Sequence, residues 1–161
     1  MPTLTQSAFG DFYRRHARAL WTYVYRVTGS AADADDLVQD AFYRLLTADL
    51  PALGDEDLRR YVFRVAGNLM IDRWRRKRRE QSWLARLRIE EPPATPAATD
   101  VPEMFLTLKP RDRALLWLAY VEEASHQEIA AALGLSRGSV KVLLSRARGR
   151  LKDLLNDDTR V

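Results

Sequence analysis

The segment 125–146 constrains the fold more than any other part of the chain, because it has the residue spacing of a helix-turn-helix. Ala130 stands four residues before Gly134, and Val140 stands six residues after that glycine. A small residue lets two helices cross closely, and glycine readily adopts the left-handed conformation that ends a helix. Val140 is expected to pack the second helix back onto the first. The spacing therefore predicts two short helices joined by a tight turn.

The second helix of this pair carries a basic surface. Ser136 stands at the predicted N-cap. Arg137, Ser139 and Lys141 then occupy the exposed first turns, which meet base edges when such a helix enters the major groove. From Arg137 to Lys152 there are six basic residues and no acidic residue. The alternative is a helical hairpin with a merely solvated polar face, but the combination of spacing, cap and basic run favours DNA binding.

Composition limits the class of protein further. The 161 residues suit one domain or two small ones, and the apolar fraction of 47% is enough to form hydrophobic cores. The chain has no cysteine, which excludes disulfides and cysteine-based zinc sites and favours an intracellular setting. No signal-peptide pattern occurs near the start, and no apolar run approaches the length of a membrane span, about eighteen residues. We therefore expect a cytoplasmic protein without membrane insertion.

The net charge of +4 hides a strong segregation of charge along the chain. From Asp33 to Asp57 there are eight acidic residues and the single base Arg44. From Arg73 to Arg79, six of seven residues are basic. Separate acidic and basic surfaces favour a function that involves both a nucleic acid and a protein partner.

Helical periodicity describes the first half of the chain. The first predicted helix ends at Gly29 and buries the stripe Phe9, Phe12, Tyr13, His16, Ala17, Leu20, Trp21, Val24 and Val27. The second begins at a capping box of Ser30 and Asp33 and turns inward Leu37, Val38, Ala41, Phe42, Leu45 and Leu46. The third begins at Asp55 and buries Leu58, Val62, Val65, Leu69 and Ile71. No strand or hairpin pattern occurs, so the predicted fold class is all-α.

A proline-rich segment divides the chain in two. Four prolines occur between residues 89 and 102 among small and polar residues, a composition that forms neither a helix nor a core. We therefore predict two small helical domains, residues 6–80 and 102–158, joined by a flexible linker, residues 81–101. The second domain ends in the helix-turn-helix.

Catalytic motifs are absent from the sequence. It contains no glycine-rich phosphate loop, no His-Glu-x-x-His and no Gly-x-Ser-x-Gly. His16 and His126 lie far apart, and His16 falls on an apolar stripe, where a structural role is favoured. The acidic residues 33–40 would lie on more than one helical face, which favours an exposed acidic helix over a magnesium site. We expect a protein that is not an enzyme and needs no metal or cofactor.

The third helix interleaves aromatic residues with arginines. This mixture suits single-stranded or melted nucleic acid, because rings and guanidinium planes stack on bases while cations follow the phosphates. A solvated helix end or an RNA-binding tail remains an alternative, and Tyr61, Phe63 and Trp74 are also candidates for the core. Gly67 costs about 1 kcal/mol in a helix interior and suggests a bend beside Asn68.

Three motifs in order resemble the extracytoplasmic-function (group 4) sigma factors of bacterial RNA polymerase. Residues 33–46 are similar to the family's polymerase-docking helix of domain 2, and residues 64–76 to the part that captures the −10 element. Residues 108–113 and 128–141 are similar to domain 4, which reads the −35 element. The resemblance covers nearly the whole chain, and the proline-rich segment stands where housekeeping sigma factors have domain 3.

The resemblance implies three sets of site residues. Those for core polymerase are Asp35, Asp36, Gln39, Asp40 and Phe42. Those for the −10 element are Arg60, Arg64, Asn68, Asp72, Arg73, Arg75 and Arg76. Those for the −35 element are Ser136, Arg137, Ser139, Lys141, Arg146 and Arg148. The implied partners are promoter DNA, the β′ clamp and β flap of core RNA polymerase, and an anti-sigma factor; the free chain is expected to be a monomer.

Two positions depart from the family pattern. Gly67 and Leu143 stand where many relatives have a basic residue, so the resemblance leaves the contact at Gly67 open and shifts the expected base contacts towards Arg137, Ser139 and Arg146. Two rival functions are a homodimeric helix-turn-helix regulator, which gel filtration would reveal as a stable dimer, and a DNA-cutting enzyme. The first leaves the acidic helix and the arginine-rich helix unexplained, and the second lacks catalytic residues in the sequence.

Overall fold

The computed structural model describes residues 4–87 and 103–160. Within these ranges every regular element is a helix, which confirms the predicted all-α class. The helices are α1 (Gln6–Thr28), α2 (Ala31–Thr47), α3 (Asp55–Leu87), α4 (Glu103–Thr107), α5 (Pro110–Tyr120), α6 (His126–Leu133) and α7 (Arg137–Thr159). No helix in the described ranges has both the length and the apolar character needed to cross a membrane.

The predicted linker 81–101 begins inside a helix. α3 continues without interruption to Leu87, so residues 81–87 belong to the same rod as the arginine-rich segment. The remainder of the predicted linker lies outside the described residues. We call α1–α3 the N-terminal domain and α4–α7 the C-terminal domain.

Local capping explains where α1 and α2 meet. Gly29 ends α1 in the left-handed conformation, with φ of 71°, and its N–H donates to the carbonyl of Tyr25. Ser30 then accepts a hydrogen bond from the backbone N–H of Asp33 at 3.2 Å, which confirms the predicted start of α2. A glycine and a capping serine in succession reverse the chain sharply, so that α2 folds back along α1.

The core of the N-terminal domain contains most of the predicted apolar stripes, with two exceptions. Tyr13 is 46% exposed and Leu46 is 40% exposed, so the prediction that both point inward is wrong. Both lie at the edge of their stripe, where the curvature of the helix surface turns a side chain towards solvent. His16 is partly buried, and its Nε2 lies 2.8 Å from Oδ2 of Asp55, at the start of α3.

The C-terminal domain has the predicted helix-turn-helix. Gly134 ends α6 in the left-handed conformation, with φ of 64°, and its N–H donates to the carbonyl of Ala130. Val140 is fully buried where α7 packs back onto α6. A buried carboxylate, Asp112 of α5, accepts a hydrogen bond from Arg150 Nη1 of α7 at 2.7 Å and so fixes α7 against α5.

The two domains also pack directly against each other. α3 lies against α6, and α1 lies against α5. The sequence gives no indication of this contact, because periodicity reports only that a face is buried and not which element covers it.

The turn of the helix-turn-helix is expected to depend on its glycine. Gly134→Ala should lower the free energy of unfolding by about 1–2 kcal/mol, because a left-handed conformation costs an L-residue with a Cβ about that much. Gly138→Ala is the matched control: it lies in α7, and a Cβ there would contact nothing within 4 Å. Urea unfolding followed by circular dichroism measures both. Equal midpoints for the two variants would contradict the role assigned to Gly134.

Candidate nucleic-acid and polymerase-binding surfaces

The exposed face of α2 is acidic. Asp35, Asp36 and Gln39 are exposed, and Asp40 is half-exposed. Asp35 accepts a hydrogen bond from the indole N–H of Trp21 at 2.7 Å, and Asp40 pairs with Arg44 Nε at 3.2 Å. The four polar residues predicted for polymerase binding therefore lie on one accessible helix, in a form that can meet a basic partner.

Phe42 is not part of that face, and its prediction as a polymerase contact is wrong. The side chain is only 3% exposed, and its ring packs against Phe9, Phe12 and Tyr13, with centroid distances of 6.2, 6.1 and 4.8 Å. A helical residue three positions from an exposed one can still lie on the core side. Phe42 lies on that side, where the environment is apolar and suits a phenylalanine ring. Phe42 packs on the core side of α2 and so supports the helix that carries the acidic face.

An exposed apolar patch beside the acidic face is not predicted by the sequence. Tyr43 is 63% exposed, one position after Phe42, and Tyr13 and Leu46 are the exposed members of the predicted core stripes. Large apolar side chains that remain in solvent together often mark a protein-binding surface. A tyrosine three positions after Asp40, on the helix that carries the acidic residues, is the signal in the sequence that points to this role.

The predicted −10 residues occupy one side of α3, but some are exposed to solvent and one is paired with another residue of the domain. Asn68, Asp72, Arg75 and Arg76 are exposed to solvent. Arg73 is partly buried, and its Nη1 pairs with Oδ1 of Asp33 at 2.8 Å, across to the start of α2. Arg73 therefore has a structural partner within the domain, so its cation is already neutralised before any phosphate arrives.

Arg60 and Arg64 lie at the domain boundary. Arg60 Nε is 3.2 Å from Oε1 of Glu128 on α6, and its Nη1 is 3.2 Å from Oδ1 of Asp57. The Arg64 guanidinium lies over the ring of Tyr61, 5.8 Å from its centroid. Such stacked cation and ring pairs are the groups that contact unpaired bases in single-strand binding proteins.

The predicted −35 residues lie along α7. Arg137, Lys141 and Arg146 are exposed, and Arg148 donates a hydrogen bond from Nη1 to the Tyr120 hydroxyl at 2.9 Å. This helix therefore presents several cations to solvent. Leu143 is half-buried, and it packs against the core rather than joining the basic surface.

Ser136 begins α7, but its side chain does not cap the backbone. The N-cap position is as predicted, while Ser136 Oγ lies 3.0 Å from Oγ of Ser139. Ser139 in turn donates to the carbonyl of Ser136 at 2.8 Å. The first backbone N–H groups of α7 thus have no side-chain cap from Ser136.

Groups suited to metal binding are missing from the described part of the chain. No cluster of three or more histidine, aspartate or glutamate side chains has a ligating arrangement within residues 4–87 and 103–160. The acidic residues of α2 project separately.

Two family models match the chain, and they follow the two domains. Sigma-70 region 2 matches residues 12–80, and Sigma-70, region 4 matches residues 99–151. The first match covers most of α1, all of α2 and most of α3, and the second covers the helix-turn-helix. The order and placement agree with the resemblance described from the motifs.

Similar proteins carry the same assignment. The ECF RNA polymerase sigma factor SigL of Mycobacterium tuberculosis is 32% identical over 90% of this chain and 87% of its own length. The chain therefore belongs to the extracytoplasmic-function sigma factors of the sigma-70 family. Other curated relatives are longer, and the chain spans 62% and 47% of the length of two of them.

Solved structures have the same arrangement of helices. CnrH, in complex with the cytosolic domain of CnrY, has a TM-score of 0.65 and 31% identity, with 96% of this chain and 91% of that chain covered. The sigma factor RpoE of Bartonella quintana, in complex with the anti-sigma factor NepR, has a TM-score of 0.66 at 23% identity, with 92% and 96% covered. The second likeness supports the fold alone.

The opposite environments of two neighbouring aromatic residues give a direct test of the α2 assignment. Phe42→Ala should lower the free energy of unfolding by about 3–5 kcal/mol, because it removes a fully packed ring. Tyr43→Ala, one position along, should change it by no more than about 0.5 kcal/mol, because the side chain is exposed. Chemical unfolding of both variants measures the difference. Similar losses for the two would contradict the burial of Phe42 and the exposure of Tyr43.

Proposed function

We propose that this chain directs core RNA polymerase to specific promoters and assists melting at their −10 element. One observation carries the proposal: sigma-70 regions 2 and 4 occur in order, and each contains an exposed charged helix suited to its partner. The acidic α2 suits a protein surface, while the arginines of α3 and α7 suit DNA. The proposed role is that of a non-enzymatic initiation factor acting in the cytoplasm without a cofactor.

Docking to polymerase is assigned to α2. Asp35, Asp36, Gln39 and Asp40 would meet the β′ clamp, with Tyr43 adding apolar contact area. Charged pairs at the edge of such a contact guide association, while buried aromatic groups supply much of the affinity. The adjacent exposure of carboxylates and a tyrosine on one helix supports this assignment.

Capture of the melted −10 strand is assigned to α3. Asn68 would border a base that leaves the stack, Asp72 would lie next to it, and Arg75 and Arg76 would contact phosphates. Removing a base from the duplex costs a few kcal/mol, which a shaped pocket on the protein must offset. The exposure of all four side chains on one helix supports this role.

Reading of the −35 element is assigned to α7, with the C-terminal domain on the β flap. Ser136, Arg137, Ser139 and Lys141 would enter the major groove, while Arg146 and Arg148 would contact the backbone. Phosphate contacts supply affinity and position, and a few base contacts supply sequence preference. The exposed N-terminal turns of α7, together with the exposed cations beyond them, support this division of roles.

A protein that sequesters the factor is a further proposed partner. CnrH, which is 31% identical, was solved in complex with the cytosolic domain of CnrY. That complex supports an anti-sigma factor for this chain, which we propose to be a monomer when neither this partner nor polymerase is bound.

The experiment that tests the proposed function is run-off transcription with bacterial core polymerase on a genomic library. The expected result is a set of transcripts whose start sites share −35 and −10 sequences, seen only when the chain is added. Random start sites, or the same transcripts without the chain, would contradict the proposal.

Reversing charge on the acidic face should abolish polymerase binding. Asp36→Arg with Asp40→Arg places two cations where the partner is expected to be basic. Circular dichroism should barely change, because exposed ion pairs such as Asp40–Arg44 contribute little to stability. Asp157→Arg with Asp158→Arg, at the exposed end of α7, changes the net charge equally and is the control. Affinity for core polymerase equal to that of the control in a pull-down would refute the assignment.

Two arginines of α7 should differ in their effects on promoter sequence. Arg137→Ala should cost about 1–3 kcal/mol of binding free energy and relax the preference at one −35 position. Arg148→Ala should weaken all −35 sequences alike and reduce the salt slope by about one unit. Binding to a panel of −35 variants at several salt concentrations separates the two effects. Parental discrimination by both variants would place the recognition surface elsewhere.

A further inference from the structure

The last two turns of α3 carry an exposed tryptophan. Trp83 is 61% exposed and does not pack against the hydrophobic cluster. The other three tryptophans of the chain do pack against it: Trp21, Trp74 and Trp117. A buried indole ring removes about 150–250 Å² of surface from water, so its burial is strongly favourable. A ring of this size that stays in solvent is a candidate for contact with a partner.

Trp83 belongs to a row of exposed side chains along one face of α3. The row starts at Asn68 and recurs every three or four residues, the spacing that keeps side chains on one side of a helix. We call the following six exposed residues the α3 row: Asn68, Asp72, Arg75, Arg79, Trp83 and Arg86. Lys77 lies two positions from both Arg75 and Arg79, on the opposite side, and its Nζ is 3.8 Å from Oδ2 of Asp33 on α2. The α3 row therefore faces solvent, away from α2.

The cations of the α3 row are available to an anionic partner. Within residues 4–87 and 103–160, no acidic side chain pairs with Arg75, Arg79 or Arg86. Arg79 donates a hydrogen bond from Nε to the carbonyl of Arg75 at 3.4 Å, which directs its guanidinium along the row and leaves its charge unneutralised. A ring beside free guanidinium groups suits a single strand of nucleic acid, because unpaired bases stack on the ring while the cations follow the phosphates.

The α3 row extends beyond the surface proposed for capture of the −10 strand. Trp83 follows Asn68 by fifteen residues, a distance of about 22 Å along the helix axis. One strand of DNA advances about 3.4 Å per nucleotide at duplex spacing, so this distance corresponds to about six nucleotides. Sigma-70 region 2 matches the chain only as far as residue 80. The family match therefore assigns no role to Trp83.

We propose that Trp83 is a base-stacking residue at the far end of an extended single-strand site on α3. Its ring stacks on an unpaired DNA base about six nucleotides from the base that Asn68 borders. Arg75 and Arg79 contact the phosphates between these two bases. The inference rests on the proposed capture of a melted strand by α3, and it adds a second contact to unpaired bases at the other end of that strand.

Binding of a labelled mixed-sequence single strand to the full chain tests the proposal. Trp83→Ala should weaken binding of a strand of about twelve nucleotides by about fivefold or more, the effect of losing one stack between a base and an aromatic ring. Gln81→Ala is the matched control, because Gln81 is exposed on the same turn but points to the other side of α3. Parental affinity in Trp83→Ala would overturn the proposal, while run-off transcription with the parent would still decide the proposed function.

Strand length tests the position of Trp83 relative to Asn68. The affinity of the parent should rise when the strand is lengthened past about six nucleotides, because it then first spans the distance between these residues. This rise should be much smaller in Trp83→Ala. An equal rise in the parent and the variant would overturn the extended site.

Salt dependence and duplex binding distinguish stacking from a contact to phosphates. Trp83 carries no charge, so Trp83→Ala should keep the parental salt slope, whereas Arg79→Ala should reduce it by about 0.7 for a single strand. Trp83→Ala should bind a duplex of the same length as the parent does, because paired bases do not offer their faces to the ring. A reduced salt slope, or equal weakening of single-strand and duplex binding, would overturn stacking on an unpaired base.

Conservative variants test the chemistry of the ring. Trp83→Phe retains an aromatic face and should keep most of the parental affinity, whereas Trp83→Leu retains apolar volume only and should bind like Trp83→Ala. Single-stranded DNA should quench the tryptophan emission of the parent far more than that of Trp83→Phe, because the remaining tryptophans pack against the hydrophobic cluster. Equal affinity of the phenylalanine and leucine variants, or equal quenching in the parent and Trp83→Phe, would overturn the stacking role.

Contact with a protein is the competing role for an exposed tryptophan. A pull-down of core polymerase without DNA measures it, and Trp83→Ala should bind core as the parent and Gln81→Ala do. Weaker binding by Trp83→Ala alone would assign the ring to polymerase and overturn the proposal. If the parent itself binds no single strand, the proposal falls together with the proposed role of α3, whereas the assignments of α2 and α7 still stand.

Discussion

The close approach of α3 and α6 determines how the rest of the molecule is arranged. α3 packs against α1 and α2 on one side and against α6 on the other, and the buried side chains of both domains form one hydrophobic cluster. This contact exists because Gly67 leaves the backbone of Ala132 room to approach. The same glycine, which weakens a helix when considered alone, has a positive role once the second domain is present. The stability that this glycine costs the helix is recovered in the packing that it permits between the domains.

The fold is largely predictable from the sequence, and the arrangement of the domains is not. Capping by Ser30 and the left-handed Gly29 and Gly134 appear in the structure where local chemistry predicts them, because these signals act within one or two turns. Apolar periodicity correctly gives the cores but misplaces Leu46 at an edge of a stripe. From the sequence alone, Gly67 predicts a bend in the helix. Its contact with α6 is not predictable, because no local signal reveals a helix from another domain.

The predicted binding residues fall into two groups: those whose charge is paired with another residue of the chain, and those whose charge is exposed to solvent. Family motifs correctly locate the charged helices, yet they cannot distinguish a free cation from one with an internal partner. Arg73 pairs with Asp33, and Arg60 pairs with Glu128, whereas Arg75 and Arg76 remain exposed. Phe42 shows the same limit for apolar residues, because the motif does not distinguish this buried position from the exposed tyrosine that follows it. Partners distant in sequence account for each of these differences.

The length of α3 has a consequence for how its charges are aimed. The helix has 33 residues and therefore extends about 50 Å as one rod, with its N-terminal half fixed in the core and its arginine-rich half projecting beyond it. Each residue rotates the following ones by about 100° around the axis. A one-residue insertion between Ile71 and Arg75 would therefore turn the whole distal set of cations to a different azimuth, whereas a seven-residue insertion would nearly preserve it. The position of each arginine in the sequence therefore determines the direction in which its side chain projects, relative to the half of α3 that is fixed in the core.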